Sequence, residues 1–512
     1  MISRRTLLRL GLGAALAPRG LRAAPRGWPS NPFHLGVAAG YPRPDGAVLW
    51  TRLAPSADAD SDVLDSPDLT LRFEVAEDVG FKRILRQGEA TAEAAFAHSV
   101  HLELDGLAPR RWYHYRFHSA DATSAVGRFR TAPAAGDVVA DGLRFAVAAC
   151  QHWETGHYAA YRHMLADELD LVLHLGDYIY ENDTPGPAVR RHLGAEPVTL
   201  ADYRRRYAQY RGDPDLQAAH AACAWAAVWD DHEVQNDYVG DRALDLADPV
   251  RFRARRLAAY RAWYEHLPVP ATMRPVGETM RIHTALDFGR LARFVLVDGR
   301  QYCDPQPCPP AGRGGSATIR DCAARTDPAR SFLGAAQEAW FDAEWRRGDA
   351  RWNLLGQQSP MAQADSADGS DEAFYSDAWD GYPAARRRLL ESVVASGRPN
   401  PVVLSGDIHS YWVSDLKTDY ARPEAPTVAT EFVTTAISSK PIPEALAAAL
   451  LANNPHLRFG RAGPRGYLRV ECRPERLAVD LRALDDVTRA DSACRTLASF
   501  IVADGKTGAE RA

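Results

Sequence analysis

Long apolar runs and an excess of positive charge are both missing from this chain. Beyond its first two dozen residues, no uninterrupted apolar run reaches 18 residues, so no membrane-spanning helix is expected. The formal net charge is −5, which argues against nucleic-acid binding, because that function needs a basic surface to neutralise phosphates. Internal repeats and low-complexity tracts are absent as well. With 512 residues, the chain is expected to fold as two or more globular domains.

Cysteine is scarce and its number is odd. Because the chain has seven cysteines, at least one thiol stays unpaired if disulfides form. Connectivity does not follow from the sequence alone. Two pairings are considered, namely Cys308 with Cys322 across a Gly-rich loop and Cys472 with Cys494 near the C-terminus. Cys150 is set aside as a candidate metal ligand.

The N-terminus carries the pattern of an export signal. Arg4 and Arg5 precede a short, weakly apolar region at 10–16, and a small residue follows at Ala24. A paired arginine before such a region is typical of twin-arginine signal peptides. We therefore predict a signal peptide over 1–24, export through the twin-arginine machinery, and a periplasmic or extracellular location. The alternative is a chance Arg-Arg pair at a disordered terminus.

Two patterns of apolar residues divide the rest of the chain. Short alternating segments separated by Pro, Gly and Asp predict an antiparallel β-sandwich over 30–133. The segment 134–141 is predicted to be a linker. From 142 to 500, apolar strands alternate with segments of helical periodicity, which is typical of an α/β domain. Within it, 428–434 and 467–470 are expected to be edge strands.

Polar side chains that can bind metals follow four of the predicted strands. In chain order they are Cys150, Asp177 with Tyr180, the run 230–233, and Asp407 with His409. Carboxyl ends of strands in an open sheet lie at one edge, where ligands bind. Each motif alone is weak, because a buried Cys is usually a small hydrophobe and Gly-Asp is usually a turn. Together, so many carboxylates at one rim require cations to offset their repulsion.

Three of these motifs resemble those of the calcineurin-like metallophosphoesterases, which include the purple acid phosphatases. They are GDxxY at 176–180, an Asp-His-Glu box at 231–233 and GDxH at 406–409. With FAVAACQHWETGHY, HLGDYIYE, WDDHE and VVLSGDIHS in this order, the chain resembles the PhoD-like alkaline phosphatase and phosphodiesterase family over most of 34–470. The resemblance implies an α/β fold, the αββα metallophosphoesterase sandwich, preceded by a small all-β, fibronectin-III-like sandwich domain.

The resemblance also implies a site with one Fe³⁺ and one or two Ca²⁺ ions. The residues that carry over as iron ligands are Cys150, Asp177, Tyr180 and His409. Asp177 would also bridge to calcium bound by Asp231 and Asp407. Thiolate and phenolate donors suit trivalent iron, whereas additional carboxylates suit a hard ion such as Ca²⁺. A histidine that purple acid phosphatases take from a separate strand is missing at 354–360, where a glutamine carbonyl is expected to replace it.

Further site residues follow from the same resemblance. His232 matches the box histidine that contacts the phosphate and assists the leaving group, and Glu233 would orient His232 or a ligand. Asp380 is a candidate calcium ligand, with a helix-capping residue as the alternative. Arg300 is a candidate phosphate contact, or otherwise a surface arginine. His174, inside its strand, is interpreted as a core or hydrogen-bonded supporting histidine rather than a ligand.

The implied activity is hydrolysis of a phosphoester by a metal-bound water or hydroxide. Phosphomonoesters, phosphodiesters or both fit this chemistry, and so does a phospholipase D-type action on lipids or wall polymers. A hypothesis from a different class is a non-catalytic cell-wall-binding protein that uses the β-sandwich. The intact set of ligand residues favours the enzyme, which is expected to act as a monomer.

Overall fold

A computed structural model describes residues 27–55, 64–367, 369 and 371–512. The predicted signal peptide at 1–24 lies outside the described residues. Within the described ranges, no helix is both long enough and apolar enough to cross a membrane.

The N-terminal region is all β, as predicted. Its strands are β1 (Val37–Arg43), β2 (Gly46–Arg52), β3 (Leu69–Ala76), β4 (Ile84–Ala92), β5 (Ser99–Leu104), β6 (Trp112–Ser119), β7 (Ala122–Thr123) and β8 (Gly127–Arg130). The order β4-β3-β6-β7 forms one antiparallel sheet, and β8 pairs with β6. β1, β2 and β5 instead join a sheet built mainly by the following region. The expected sandwich therefore has one sheet of its own and shares the other.

The following region alternates strands and helices. Its first half comprises β9 (Leu143–Ala148), α1 (Ala159–Met164), β10 (Leu171–His174), α2 (Leu200–Arg211), α3 (Pro214–Ala222), β11 (Ala224–Ala227), α4 (Pro249–His266), β12 (Thr284–Phe288), β13 (Ala292–Leu296), β14 (Thr318–Ile319) and α5 (Ala335–Trp345). Its second half comprises β15 (Trp352–Gly356), β16 (Phe374–Tyr375), α6 (Pro383–Ser396), β17 (Pro401–Ser405), β18 (Tyr411–Leu416), β19 (Ala429–Val433), α7 (Glu444–Asn453), β20 (Leu457–Arg461), β21 (Gly466–Arg473), β22 (Arg476–Leu484), β23 (Cys494–Ala503) and β24 (Glu510–Arg511).

Side-chain caps set where three of the helices begin. Thr199 accepts a hydrogen bond from the backbone N–H of Asp202, whose side chain returns the contact in a capping box at α2. Asp213 and Asp248 cap α3 and α4 without a capping box, because each side chain accepts two backbone N–H groups of the first turn, and each is followed directly by a proline. Proline at the first helical position loses no hydrogen bond, so these starts are well defined.

Two large sheets face each other and form the predicted αββα sandwich. One has the order β24-β23-β22-β21-β9-β10-β11-β1-β2-β5, and the other has the order β12-β13-β15-β17-β19-β18-β20. Along β13, Phe294 packs with Phe145 of the opposite sheet, their ring centroids 5.2 Å apart. Val295 points the other way, into a second core with Phe341 of α5 and Leu390 of α6. The alternation places one core between the sheets and another under the outer helices.

The two strands predicted at sheet edges lie inside the sheets, so that prediction was wrong. β19 pairs with β17 and β18, and β21 pairs with β9 and β22. β22 and β23 extend the larger sheet beyond β21. Side chains in β22 and β23 alternate largely between buried and partly exposed, which weakens the apolar pattern from which strands are predicted.

One of the two considered disulfides is present. Cys308 and Cys322 are bonded and close the Gly-rich loop. The pairing of Cys472 with Cys494 was wrong, because both thiols are free in the described part of the chain. Cys472 lies beside the start of β22 and Cys494 beside its end, so the length of that strand separates them.

His174 ends β10 as a core histidine. Its ring packs against Tyr178 and Trp225, and neither ring nitrogen has a hydrogen-bond partner among the described residues. Burial lowers its pKa from 6.5 to about 3. In the unfolded chain this group takes up a proton near its ordinary pKa, while in the folded chain it stays neutral. It therefore lowers the unfolding free energy as the pH falls from about 6.5 to about 3.

Phenylalanine at position 174 should remove part of the acid sensitivity of folding. Between pH 7 and pH 5, we expect wild-type protein to lose about 2 kcal/mol more unfolding free energy than His174→Phe. Urea unfolding at the two pH values measures this difference. Cys472→Ala, which changes another buried side chain of the same sheet without a titrating imidazole, should keep the wild-type pH dependence. Identical pH dependence in His174→Phe and wild type would contradict the prediction.

Candidate active site

The predicted metal-binding residues meet where the parallel strands end. Cys150, Asp177 and Asp231 follow β9, β10 and β11, which are paired in parallel, and Asp407 and His409 follow β17 of the facing sheet. Cys150, Asp177, Asp407 and His409 have φ values of 59°, 56°, 65° and 54°. Residues other than glycine seldom adopt this left-handed backbone region, and backbone strain of this kind clusters at functional sites.

The turn after β10 depends on Gly176 and Glu233. Gly176 has a φ of +112°, and a Cβ there would lie 2.4 Å from the Cβ of Asp230. The Glu233 carboxylate accepts backbone N–H groups of Asp177, Tyr178 and Asp230 at 3.1, 2.6 and 2.8 Å. Burial raises the pKa of Glu233 to about 8, and repulsion by the Asp177 carboxylate is the next largest cause of the increase. Glu233 thus ties the ends of β10 and β11 together and positions Asp177.

A first group of ligand atoms comes from Cys150, Asp177 and His409, within 4.8 Å of one another. The Tyr180 hydroxyl joins it, donating to Asp177 Oδ2 at 2.6 Å and lying 3.0 Å from His409 Nε2. His409 Nδ1 donates to the Lys440 carbonyl at 2.7 Å, which leaves the Nε2 lone pair facing the group. Burial raises the pKa of both the Cys150 thiol and the Tyr180 hydroxyl well above their ordinary values, and the nearby Asp177 carboxylate adds to both shifts. Both are therefore anionic only beside a cation.

A second group consists of Asp177, Asp231 and His232. His232 Nδ1 donates to Glu181 Oε2 at 2.7 Å. Burial lowers the pKa of His232, but the carboxylates of Glu181 and Asp231 outweigh it and raise that pKa well above its ordinary value. Glu181, rather than Glu233, is therefore the partner that orients His232. Sequence reasoning missed Glu181, although it ends the same motif as Asp177.

The Tyr180 ring lies between two imidazoles. Its centroid is 4.0 Å from that of His232 and 4.4 Å from that of His152. His152 Nδ1 accepts the backbone N–H of Glu154 at 3.1 Å, so its ring proton is on Nε2. Burial lowers the pKa of His152 to about 3. His152 stands two residues after Cys150, and this spacing was the available signal for it.

A third group consists of Asp231, Asp237 and Asp377. Asp237 and Asp377 were not predicted from the sequence. Arg300 is 1% exposed and lies among these carboxylates rather than on the surface. Its guanidinium pairs with Asp230, contacts Asp377 at 2.7 Å, and lies 3.5 Å from Asp231. In this position Arg300 offsets part of the buried negative charge.

Two predicted calcium ligands have different surroundings. Asp407 is half-buried close to the first two groups, and burial raises its pKa to about 6, with Asp177 among the carboxylates that add to the shift. Asp380 is not brought to the site. One of its oxygens pairs with Arg386 at 2.6 Å, and the other accepts a backbone N–H at 2.8 Å. Asp377, three residues earlier, lies with Asp231 instead.

The structure brings neither glutamine amide of the 354–360 segment to the site. Gln357 Oε1 accepts the Trp379 indole N–H at 2.6 Å, and Gln358 Oε1 accepts the Gly299 N–H at 3.0 Å. Both side chains are fully buried. The expectation that a glutamine carbonyl replaces the missing histidine is therefore not met.

The donor set fits bound cations. Asp177 Oδ1, Asp230 Oδ2 and Asp231 Oδ1 are buried and have no hydrogen-bond donor in the described ranges. Burial raises the pKa of Asp230 and of Asp377 well above the ordinary value, although Arg300 opposes the shift. Such a cluster must either take up protons or bind cations. A thiol, a phenol and an imidazole at one end suit a transition metal, and carboxylates alone at the other end suit a hard ion.

Comparison with known proteins gives consistent matches over most of the chain. The family described as PhoD-like phosphatase matches residues 145–481, and the PhoD-like phosphatase N-terminal domain matches residues 20–133. The chain is 40% identical to alkaline phosphatase D of Bacillus subtilis (strain 168) over 496 residues, which cover 95% of this chain and 83% of that protein. It is also similar to a solved structure of PhoD, with a TM-score of 0.89, 38% identity, and coverage of 95% of this chain and 93% of the other.

Proposed function

Because this chain belongs to the PhoD-like phosphatase family and is a phosphoric ester hydrolase, we propose that its site binds one Fe³⁺ and one or two Ca²⁺ ions. With these ions it would cleave phosphomonoesters, phosphodiesters or both. The observation that carries this proposal is the overlap of the three groups of ligand atoms. The first and second share Asp177, and the second and third share Asp231, whereas His232 of the second group stays protonated and is left as the acid rather than as a ligand. Asp177 and Asp231 would thus each lie beside more than one bound cation, and closely spaced cations are what phosphoester-cleaving two-metal sites use.

Different residues would bind the iron and the calcium. Cys150, Asp177, Tyr180 and His409 would hold the iron, because thiolate and phenolate donors suit a trivalent ion. Carboxylates around Asp231 would hold calcium, with Asp377 in place of Asp380 as the further ligand. When bound, the metals act as Lewis acids toward the phosphate and supply a nucleophile at neutral pH.

The chain's own groups orient the substrate and move the proton. Because Glu181 occupies Nδ1 of His232, the Nε2–H of the protonated ring is left to donate to the departing oxygen. His152 lies on the other face of the Tyr180 ring, and with Nδ1 accepting from Glu154 and a side-chain hydrogen bond to Asn182 it would keep that ring in position. Glu233 keeps the Asp177 backbone in place. Acid catalysis by His232 matters most for esters with poor alkoxide leaving groups.

Parallel assays on a monoester and a diester test this proposal. We expect the purified protein to hydrolyse p-nitrophenyl phosphate, bis-p-nitrophenyl phosphate or both, to lose activity on removal of its metals, and to regain it with Fe³⁺ and Ca²⁺ together. Metal analysis of the same preparation reports which ions it carries. A preparation with intact metals and no turnover of either ester would contradict the proposed substrate classes.

The iron ligands can be tested by colour. Fe³⁺ bound to a phenolate and a thiolate absorbs visible light by charge transfer, so the purified protein should be coloured. We expect Cys150→Ala to lose most of its iron and its visible band. Cys472→Ala, which removes a buried free thiol of the same sheet outside the site, should keep both. Unchanged iron content in Cys150→Ala would make Cys150 a core residue instead.

The proposal also includes the cellular setting. The twin-arginine pattern supports export of the folded chain to the periplasm or the extracellular space. The Cys308–Cys322 disulfide is consistent with such an oxidising location. The enzyme is proposed to act as a monomer.

A further inference from the structure

We propose that the loop closed by the Cys308–Cys322 disulfide holds Asp237 and Asp377 against Asp231, so that the disulfide controls cation retention at the third group. The inference rests on the proposed function, because that function assigns the third group to calcium. It makes Gln306 and Ser316 positioning residues, which act on the cation through the carboxylates they touch.

Gln306 connects the two segments that carry these carboxylates. Its side chain is buried, two residues before the first bonded cysteine. Gln306 Nε2 donates both to Asp377 Oδ1, at 2.5 Å, and to the Asp237 backbone carbonyl, at 2.9 Å. A single amide therefore fixes the separation of Asp237 and Asp377.

The segment inside the disulfide ring makes the remaining contacts. The backbone N–H and the hydroxyl of Ser316 both donate to Asp237 Oδ2, at 2.9 and 2.5 Å. Ala317 exchanges two hydrogen bonds with Ser376, the residue before Asp377, each at 2.9 Å. β14 lies in the same ring and pairs with β16, which ends two residues before Asp377. Asp237 and Asp377 are thus both held from this one loop.

Few apolar side chains hold this loop. Between the two cysteines the sequence is PPAGRGGSATIRD, in which Ile319 is the one large apolar residue. Most of the segment is exposed or half-buried, and both Cys308 and Asp321 have a φ of 48°. Segments with few buried apolar contacts open readily, and a cross-link limits the conformations available to them. Without the disulfide, the segment that carries Ser316 would leave Asp237 more readily, and Gln306 would lose the cross-linked residue that follows it two positions later.

The first group does not share this dependence. Cys150, Asp177, Tyr180 and His409 follow β9, β10 and β17, and among the described residues none of their hydrogen bonds reaches the disulfide loop at 308–322. Loss of the disulfide should therefore weaken calcium binding and spare the iron. Loss of calcium with retention of iron would distinguish a positioning effect from general unfolding.

The test compares metal content and calcium affinity in full-length enzymes. The Cys308→Ser/Cys322→Ser protein should keep its iron, lose calcium on dialysis against calcium-free buffer, and bind added Ca²⁺ about 10- to 100-fold more weakly by calorimetry. The matched control is Cys472→Ser/Cys494→Ser, which changes two cysteines that form no disulfide in the described part of the chain. It should behave as wild type.

Single variants keep the test decisive if the double variant does not fold. Ser316→Ala should weaken Ca²⁺ binding in the same direction, and Ser316→Thr, which keeps the hydroxyl, should restore it. Wild-type calcium retention in the disulfide variant, or joint loss of iron and calcium, would overturn the proposal. If Asp377→Asn leaves the wild-type calcium content unchanged, the calcium assignment itself fails, and the proposal falls with it for that separate reason.

Discussion

Asparagine in place of Asp177 should lower kcat/KM for phosphoester hydrolysis by at least about 10³-fold, because it removes the carboxylate shared by two of the ligand groups. One oxygen of Asp177 accepts the Tyr180 hydroxyl at 2.6 Å, and the other has no donor among the described residues. An amide has nearly the same shape but carries no charge, and its nitrogen cannot bridge two cations. We therefore expect both iron and calcium content to fall, and the visible band to fade with the iron.

Asp170→Asn is the matched control for this variant. Asp170 is buried just before β10, at the end of the strand opposite Asp177, and pairs with Arg130 at 2.9 Å. That substitution removes a buried, paired charge from the other end of β10 but should keep both metals and the activity. Glu233 binds the Asp177 backbone rather than its side chain, so Asp177→Asn should still fold. Activity within a few-fold of wild type, with both metals retained, would show that Asp177 does not bridge them.

The strand-end residues were predictable because their signal is local. An apolar run followed at once by a carboxylate, thiol or imidazole marks the carboxyl end of a buried strand, and parallel pairing brings such ends together. This is how Cys150, Asp177, Asp231 and His409 were expected to lie together, and the structure brings them together from the strand ends of two facing sheets. The left-handed backbone of Cys150, Asp177 and His409 was not visible in the sequence, since it results from the turn that each residue makes there.

Residues supplied by loops were not predictable in the same way. Asp377 and Asp380 stand three residues apart, and the sequence offered no reason to prefer one. A short 3₁₀ turn over Trp379–Gly381 directs Asp380 to Arg386 and leaves Asp377 with Asp231. Which of two nearby carboxylates enters a site depends on such turns and on distant partners.

Pairing between strands that are distant in the chain was the other feature that could not be predicted from the sequence. The N-terminal strands alternate as a separate sandwich would, and nothing local shows that β1 pairs in parallel with β11. Ala39 lies opposite Ala224, and Gly40 lies opposite Trp225. At Gly40 the backbone of Pro268 approaches so closely that a Cβ would lie 2.0 Å from its carbonyl oxygen. That contact was invisible without the fold, because the glycine and its neighbours are remote in the chain.

Glutamine in place of Glu181 should weaken His232 as a general acid without removing a metal ligand. Glu181 accepts the Nδ1–H of His232 at 2.7 Å and, with Asp231, raises the pKa of His232 against the effect of burial. Glutamine can still accept that hydrogen bond but carries no charge. The pKa of His232 should therefore fall, and the imidazolium should lose its proton at a lower pH. We expect the alkaline limb of the kcat profile to move to lower pH.

The size of the effect should depend on the leaving group. An alkyl phosphate releases a poor alkoxide that needs a proton, so kcat should fall about 100-fold in Glu181→Gln. p-Nitrophenolate leaves without protonation, and the loss with p-nitrophenyl phosphate should stay below about tenfold. Glu265→Gln, a change at a buried glutamate that pairs with Arg204 at 2.6 Å, should leave both rates and the pH profile unaltered. Equal losses on the two esters, with intact metals, would mean that His232 does not protonate the leaving group and that Glu181 instead stabilises the site as a whole.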